Sequence, residues 1–179
     1  MKKSILILLI LLTLGFNSCV TDDGLNNLNQ ETIILNAFCY GTEPEETFEV
    51  NKAFFEDPEL TAPNVYETKI VITDNDLDMD MGTLQGLGNL LSLTLTGNEN
   101  VVLQSGLYVI GNANPVGNAS VSYVLNYDSA AQLNTVYEIV EGRVRIAPFG
   151  TAFAIEINGV DINGTGFHGN YVGSLTPVN

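Results

Sequence analysis

The residues whose type and spacing could do chemistry are carboxylates. In Asp74-Asn75-Asp76-Leu77-Asp78-Met79-Asp80-Met81-Gly82 an acid stands at every second position. Asp76, Asp78 and Asp80 occupy the first three ligand positions of a calcium loop, where hard oxygens suit Ca²⁺. The loop then needs Gly at its sixth position and Glu at its twelfth. Met81 and Leu87 stand there, so neither the sharp turn nor the bidentate ligand is supplied. A plainer reading places Leu77, Met79 and Met81 inward and the acids outward, blunting an exposed strand edge. The expectation is no metal and no cofactor, with calcium at these three aspartates as the weak candidate.

Glu43, Glu45, Glu46 and Glu49, followed by Glu56, Asp57 and Glu59, form a second acidic patch around Pro44 and Pro58. Paired carboxylates can hydrolyse glycosides when their separation is fixed. Nothing in this stretch fixes it, so a solvated loop face is expected. His168, the chain's one histidine, sits in Gly166-Phe-His-Gly-Asn170, which reads as a turn or strand end with the imidazole at the surface. One histidine and so few cysteines leave a structural zinc site short of ligands. Gly86-Leu-Gly88 lacks the third glycine, the lysine and the following helix of a nucleotide loop. The seven tyrosines could stack on glycans, but without tryptophan they read as residues at the rim of a core.

The elements that must position these groups are strands. Period-two or β-branched runs recur between turn residues at Thr32–Phe38, Tyr66–Thr73, Leu91–Thr96, Leu107–Ile110 and Ser120–Tyr127. They continue at Val136–Val140, Arg143–Ala147, Ala152–Asn158 and around Tyr171–Leu175. Pro148–Thr151 and Asn158-Gly159 read as turns, the latter as a tight hairpin. Val50–Phe55 is the one stretch with room for a helical turn. About nine or ten strands imply an all-β fold, an antiparallel sandwich or, as the alternative, a flattened barrel. Cys39 lies in the apolar run Ile33–Tyr40 and reads as a buried thiol.

The chain's start has a different character. Lys2 and Lys3 precede the uncharged run Ile5–Phe16, about 18 Å long as a helix against roughly 30 Å of hydrocarbon. It fits the apolar part of an export signal. The run closes on Phe16-Asn17-Ser18-Cys19, which resembles a bacterial lipobox, although Phe16 stands where Leu is commonest. The resemblance implies a diacylglycerol thioether on Cys19, cleavage before it, and acylation of the new amine. Two or three acyl chains anchor stably where one does not. Asn-Ser-Cys with Asp22 and Asp23 close behind resembles lipoproteins of the Bacteroidota, in which such acids mark export to the cell exterior. Gly106-Leu-Tyr108 and Gly169-Asn-Tyr171-Val-Gly173 resemble small β-sandwich lipoproteins of the same group. Asp128-Ser129-Ala130 resembles their O-glycosylation signal, with Ser129 as acceptor.

The expected organisation is a signal peptide at 1–18, a lipidated tether at 19–30 and a single domain at 31–179. Removing 1–18 takes away Lys2 and Lys3 and no acid, so the formal charge of −15 becomes two units more negative. Such a surface repels nucleic acid and disfavours acidic substrates. With Cys19 lipidated, Cys39 is left with no cysteine to pair with inside the chain. The expected function is non-catalytic: a lipid-anchored module at the outer membrane, on the cell surface or alternatively the periplasmic face. It would bind or display a glycan or an outer-membrane partner protein. The alternative is a structural subunit of a surface filament or coat, and the more remote one a carboxylate-dependent glycoside hydrolase.

Overall fold

A computed structural model describes residues 36–41, 46–131 and 133–178. Cys19, Asp22 and Asp23, with the signal and the tether, lie outside those residues, as do Glu43 and Glu45. Among the described residues there are thirteen strands and no helix, hence none long and apolar enough to cross a membrane. In chain order they are β1 (Ala37–Tyr40), β2 (Glu46–Glu49), β3 (Lys52–Phe55), β4 (Glu59–Ala62), β5 (Val65–Thr73), β6 (Leu77–Asp80) and β7 (Thr83–Gly97). Then come β8 (Gly106–Ile110), β9 (Asn118–Asp128), β10 (Leu133–Phe149), β11 (Ala152–Asp161), β12 (Gly166–Gly173) and β13 (Thr176–Pro177).

The strands join in the order β13-β3-β5-β7-β9-β8-β10-β11-β12-β1-β2, with β4 on β5 and β6 on β7. Nearly all neighbours are antiparallel, and the end strands β13 and β2 do not pair, so the sheet is sandwich-like and not a closed barrel. The long strand β10 belongs to both layers. Its first half pairs with β9 from Thr135 to Ile139, and its second half with β8 from Gly142 to Ile146. A register shift between Ile139 and Glu141 marks the bend, as bulges do where a strand changes sheet.

Strict alternation fills the space between the layers. Ile70 and Ile72 of β5, Leu91 and Leu93 of β7, and Val121 and Tyr123 of β9 line one side. Phe38, Val144, Ile146, Ile155, Ile157 and Phe167 line the other, in one buried cluster. Each such aliphatic residue contributes about 1.5–3 kcal/mol on burial. Phe48 of β2 stacks on Tyr123 at 4.6 Å between centroids, tying the edge of one layer to the middle of the other.

Several expected boundaries differ, each for a local reason. Val50–Phe55 makes no helical turn: Lys52–Phe55 is β3, paired with β5. The two runs expected at Val136–Val140 and Arg143–Ala147 are one strand. Gly150-Thr151 is the turn of the β10–β11 hairpin, with Gly150 at φ 62°. Asn158-Gly159, in contrast, is strand interior. A Cβ on Gly159 would collide with the Glu141 carbonyl and Ile139, so the glycine serves close approach at the bulge. Gly169 does the same for β12, where a side chain would meet Ala37 O and the Phe38 ring. At the N-terminal end, the Asn36 amide takes the place of main chain: Nδ2 donates to Val172 O (3.0 Å) and Oδ1 accepts Val172 N–H (2.8 Å). Of the expected strand Thr32–Phe38, residues 36–38 are described, and Ala37 and Phe38 belong to β1.

Candidate functional site

The acidic run Asp74–Asp80 builds a hairpin rather than a ligand cage. β6 pairs with the first part of β7 and folds back on the outer face of the layer, where Leu77 packs on Leu90 and Val124. Asp74 holds the hairpin's base, accepting from Asn89 N (2.6 Å) and Asp76 N (3.2 Å). Lys52 reaches in from β3, donating to Leu77 O (2.9 Å) and Asn75 O (3.2 Å) and pairing with Asp78 at 3.3 Å. The Met79 N–H, then the Lys52 ammonium, hold Asp78 below the usual carboxylate range. Leu77 is buried and Met79 half-buried as expected, but Met81 is 92% exposed, because its φ of 46° turns the chain before β7. Asp76, Asp78 and Asp80 do not converge: among the described residues no group of three or more His, Cys, Asp or Glu is placed to hold a metal ion.

A cleft of about 270 Å³ lies beside this ion pair, lined by Asn51, Lys52, Ala53, Phe54, Asp78, Tyr171, Ser174 and Thr176. It forms where β13 runs parallel to β3 through only Thr176 and Pro177. Its polar groups are an amide, three hydroxyls and a neutralised ion pair, a set that suits hydroxyl-rich neutral ligands.

The most perturbed carboxylate is one that sequence reasoning missed. Asp161 ends β11 and is 5% exposed. It accepts from Tyr40 Oη (2.9 Å), Asn163 N (2.8 Å), Thr165 N (2.8 Å) and Asn163 Nδ2 (3.3 Å). Burial pushes its pKa up, but these donors outweigh burial and hold it at about 2. Burial, then the bond to Asp161 and its charge, push Tyr40 up to about 12. Neither group changes protonation near neutral pH, where a general acid or base must, so the pair fastens the β11–β12 turn. Its signal was present in Asp161-Ile-Asn163-Gly164-Thr165, where Asp and Asn-Gly mark a side-chain-closed turn.

Three of the tyrosines turn their rings into the core. Tyr123 is fully buried, Tyr108 and Tyr171 nearly so, and the last two close on backbone carbonyls, Tyr108 on Gln104 O and Tyr171 on Ser174 O, both at 2.8 Å. Tyr40, Tyr66, Tyr127 and Tyr137 are half-buried. Of the second acidic patch, Glu46, Glu49, Glu56, Asp57 and Glu59 are exposed, and Glu56 pairs with Lys69 at 3.4 Å.

His168 is not at a turn. It lies within β12, half-buried, with Nε2 shielded from solvent. The register sets it opposite Cys39 on β1 and opposite Asn158 on β11, so the three share one face. No spacing in the sequence reveals this row, since it depends on strand order. Cys39 is fully buried and disulfide-bonded, which replaces the expected thiol; its partner lies outside the described residues. A buried, bridged sulfur is no nucleophile. Ser129 sits just beyond β9, half-buried, its Oγ accepting Gly86 N–H at 3.1 Å while Asp128 closes the turn through Ala130 N and Ala131 N.

No family model, curated protein or solved structure matches the chain.

Proposed function

We propose that this chain is a lipid-anchored envelope protein of Bacteroidota type, with Cys19 as the lipid attachment and the β-sandwich as a non-catalytic binding or display module. Its partner would be a glycan or an outer-membrane protein, and its place the cell surface or alternatively the periplasmic face of the outer membrane. The observation that carries the reading is Phe16-Asn17-Ser18-Cys19 at the end of an apolar run too short to span a bilayer. Residues 19–30 would then be the lipidated tether, reaching on the order of 40 Å when extended, ahead of the domain at 31–179.

The chemistry of the domain supports a binding role over catalysis. Asp74, Asp78 and Asp161 each satisfy donors of their own chain, and the Tyr40–Asp161 pair holds its protons fixed near neutrality. The cleft beside Lys52 and Asp78 is where a neutral glycan's hydroxyls would be held. Cys19 is the chain's other cysteine, so a lipid thioether and a bridge to Cys39 exclude each other. The lipid reading takes the thioether at Cys19, and in the acylated chain Cys39 is then a buried thiol.

The test is metabolic labelling with radioactive palmitate. The chain is expected to take up label and to fractionate with membranes, and Cys19→Ala to lose both. An unlabelled chain, or a Cys19→Ala chain equally membrane-bound, contradicts the reading.

A further inference from the structure

The cleft beside β3 is assembled from three separate stretches of chain. β3 supplies Lys52 and Phe54, the β6 hairpin supplies Asp78, and the chain running from β12 into β13 supplies Tyr171, Ser174 and Thr176. Asp78, Ser174 and Thr176 are exposed, whereas Phe54 and Tyr171 are 6% and 2% exposed. A polar rim therefore surrounds a narrow apolar floor.

A lysine lining a cleft ordinarily reads as a grip for carboxylate or phosphate. An ammonium has three N–H donors, and Lys52 has given out all three. It donates to Leu77 O at 2.9 Å, to Asn75 O at 3.2 Å and to Asp78 at 3.3 Å. An entering anion would have to take one of these bonds from the hairpin, and it would meet the Asp78 carboxylate beside it. Like charges so close repel, so the lysine neutralises the cleft without opening it to anions.

What the cleft still offers is of another kind. Asp78 keeps lone pairs that face a ligand as acceptors, and the hydroxyls of Ser174 and Thr176 both donate and accept. Tyr171 Oη spends its proton on Ser174 O at 2.8 Å, which leaves it an acceptor and holds Ser174 in place. A Cβ on Gly173 would lie 2.3 Å from that hydroxyl, so the glycine of Tyr171-Val-Gly173 is what lets the phenol fold back beneath the chain. Acceptors next to groups that do both match adjacent alcohols, each of which also donates and accepts.

Size narrows the ligand further. The cleft's volume of about 270 Å³ falls below the roughly 300–1,000 Å³ of pockets that enclose a drug-sized molecule. It has room for one ring and not for a run of them. With Phe54 and Tyr171 so enclosed, a ring is held by its hydroxyls and not by stacking.

We propose that this cleft takes a single neutral sugar ring at the end of a glycan chain, held through neighbouring hydroxyls by Asp78, Ser174 and Thr176, and that it turns away the matching uronic acid. The inference rests on the binding reading above and adds to it the class of sugar and the way it is held. The contact to Asp78 is charge-assisted, the stronger kind of hydrogen bond. Asp74, which pins the base of the hairpin that carries Asp78, is a positioning residue for it.

The experiment follows the backbone amides of the full mature chain, labelled with ¹⁵N, while matched methyl glycosides are added to high millimolar concentration. The pairs are glucoside against glucuronide and galactoside against galacturonide. Saturating shifts centred on Ala53, Asp78, Ser174 and Thr176 are expected with a neutral member, and binding about tenfold weaker with its uronide. Ser174→Ala and Thr176→Val, both at exposed positions, should each weaken the neutral sugar about fivefold. Asp78→Asn leaves the Lys52 charge uncompensated and should narrow or reverse the preference. Equal binding of the uronide, an unchanged preference in Asp78→Asn, or no shift at these amides with any neutral glycoside overturns the proposal. If an oligomer of the same sugars shifts other amides while these stay still, the domain binds glycan elsewhere, so the binding reading stands and this assignment falls. If neither monomers nor oligomers shift any amide, glycan binding falls together with it.

Discussion

Two acidic regions of this domain teach opposite lessons about charge in a sequence. Asp74–Asp80 has four acids in seven positions and reads as a site. Asp161 is a single acid in an unremarked loop. The run's members separate in the fold: Asp74 pins a hairpin, Asp78 meets Lys52, and Asp76 and Asp80 face solvent. Asp161 instead gathers four donors and becomes the most depressed carboxylate described. What perturbs a carboxylate is the number of donors aimed at it, and strand pairing sets that number.

Mutations at the two regions can break this comparison. Asp161→Ala is expected to have the largest effect, because it strips acceptors from Tyr40 Oη and from two turn N–H groups at once. Its melting temperature should fall further than that of any single change in the run. The pH dependence has a definite sign. A carboxylate depressed to about 2 contributes stability that is fully present above its unfolded pKa of 3.8 and lost as pH falls through 2. Tyr40, raised to about 12, contributes stability present below 10 and lost as pH rises through 12. Asp161→Asn should flatten the acid limb, and Tyr40→Phe the alkaline one, in urea titrations across pH.

Asp74→Ala should cost about 1.5–3 kcal/mol, the range for hydrogen bonds to a charged group, read as a lower urea midpoint. Tyr123→Phe tests the core beside Tyr40. The Tyr123 hydroxyl is buried with no hydrogen-bond partner among the described residues, so its removal should leave stability unchanged or raise it by about 1 kcal/mol. A loss greater than that would show that the hydroxyl is satisfied. Asp76→Asn and Asp80→Asn should each stay within about 0.5 kcal/mol. Millimolar Ca²⁺ or a chelator should leave the melting temperature unmoved, whereas a calcium-dependent rise that both substitutions abolish would restore the run as a metal site.

The all-β class and the positions of β5, β8 and β11 were legible because their alternation is local. The β7 and β10 ends were not, since register shifts at Gly88–Leu90 in β7 and at Ile139–Glu141 in β10 change which face is buried partway along. Glycines misled at Asn158-Gly159 and at Gly169, where they serve close backbone approach and not a turn. The four-residue strands β2, β3 and β4 carry too few alternations to register. Of the candidate sites, the run at Asp74–Asp80 already departs from a calcium loop in the sequence, at Met81 and Leu87. The Cys39–His168–Asn158 row could not be read there, because it depends on which strands become neighbours.

The most direct measurement is the mass of the N-terminal peptide of the protein isolated from its membranes, digested without reductant. A peptide beginning at Cys19 with diacylglycerol on sulfur, alongside a Cys39 peptide that takes up an alkylating probe, is the predicted result. An unacylated Cys19 peptide, or one joined to Cys39 through a disulfide, would contradict the account.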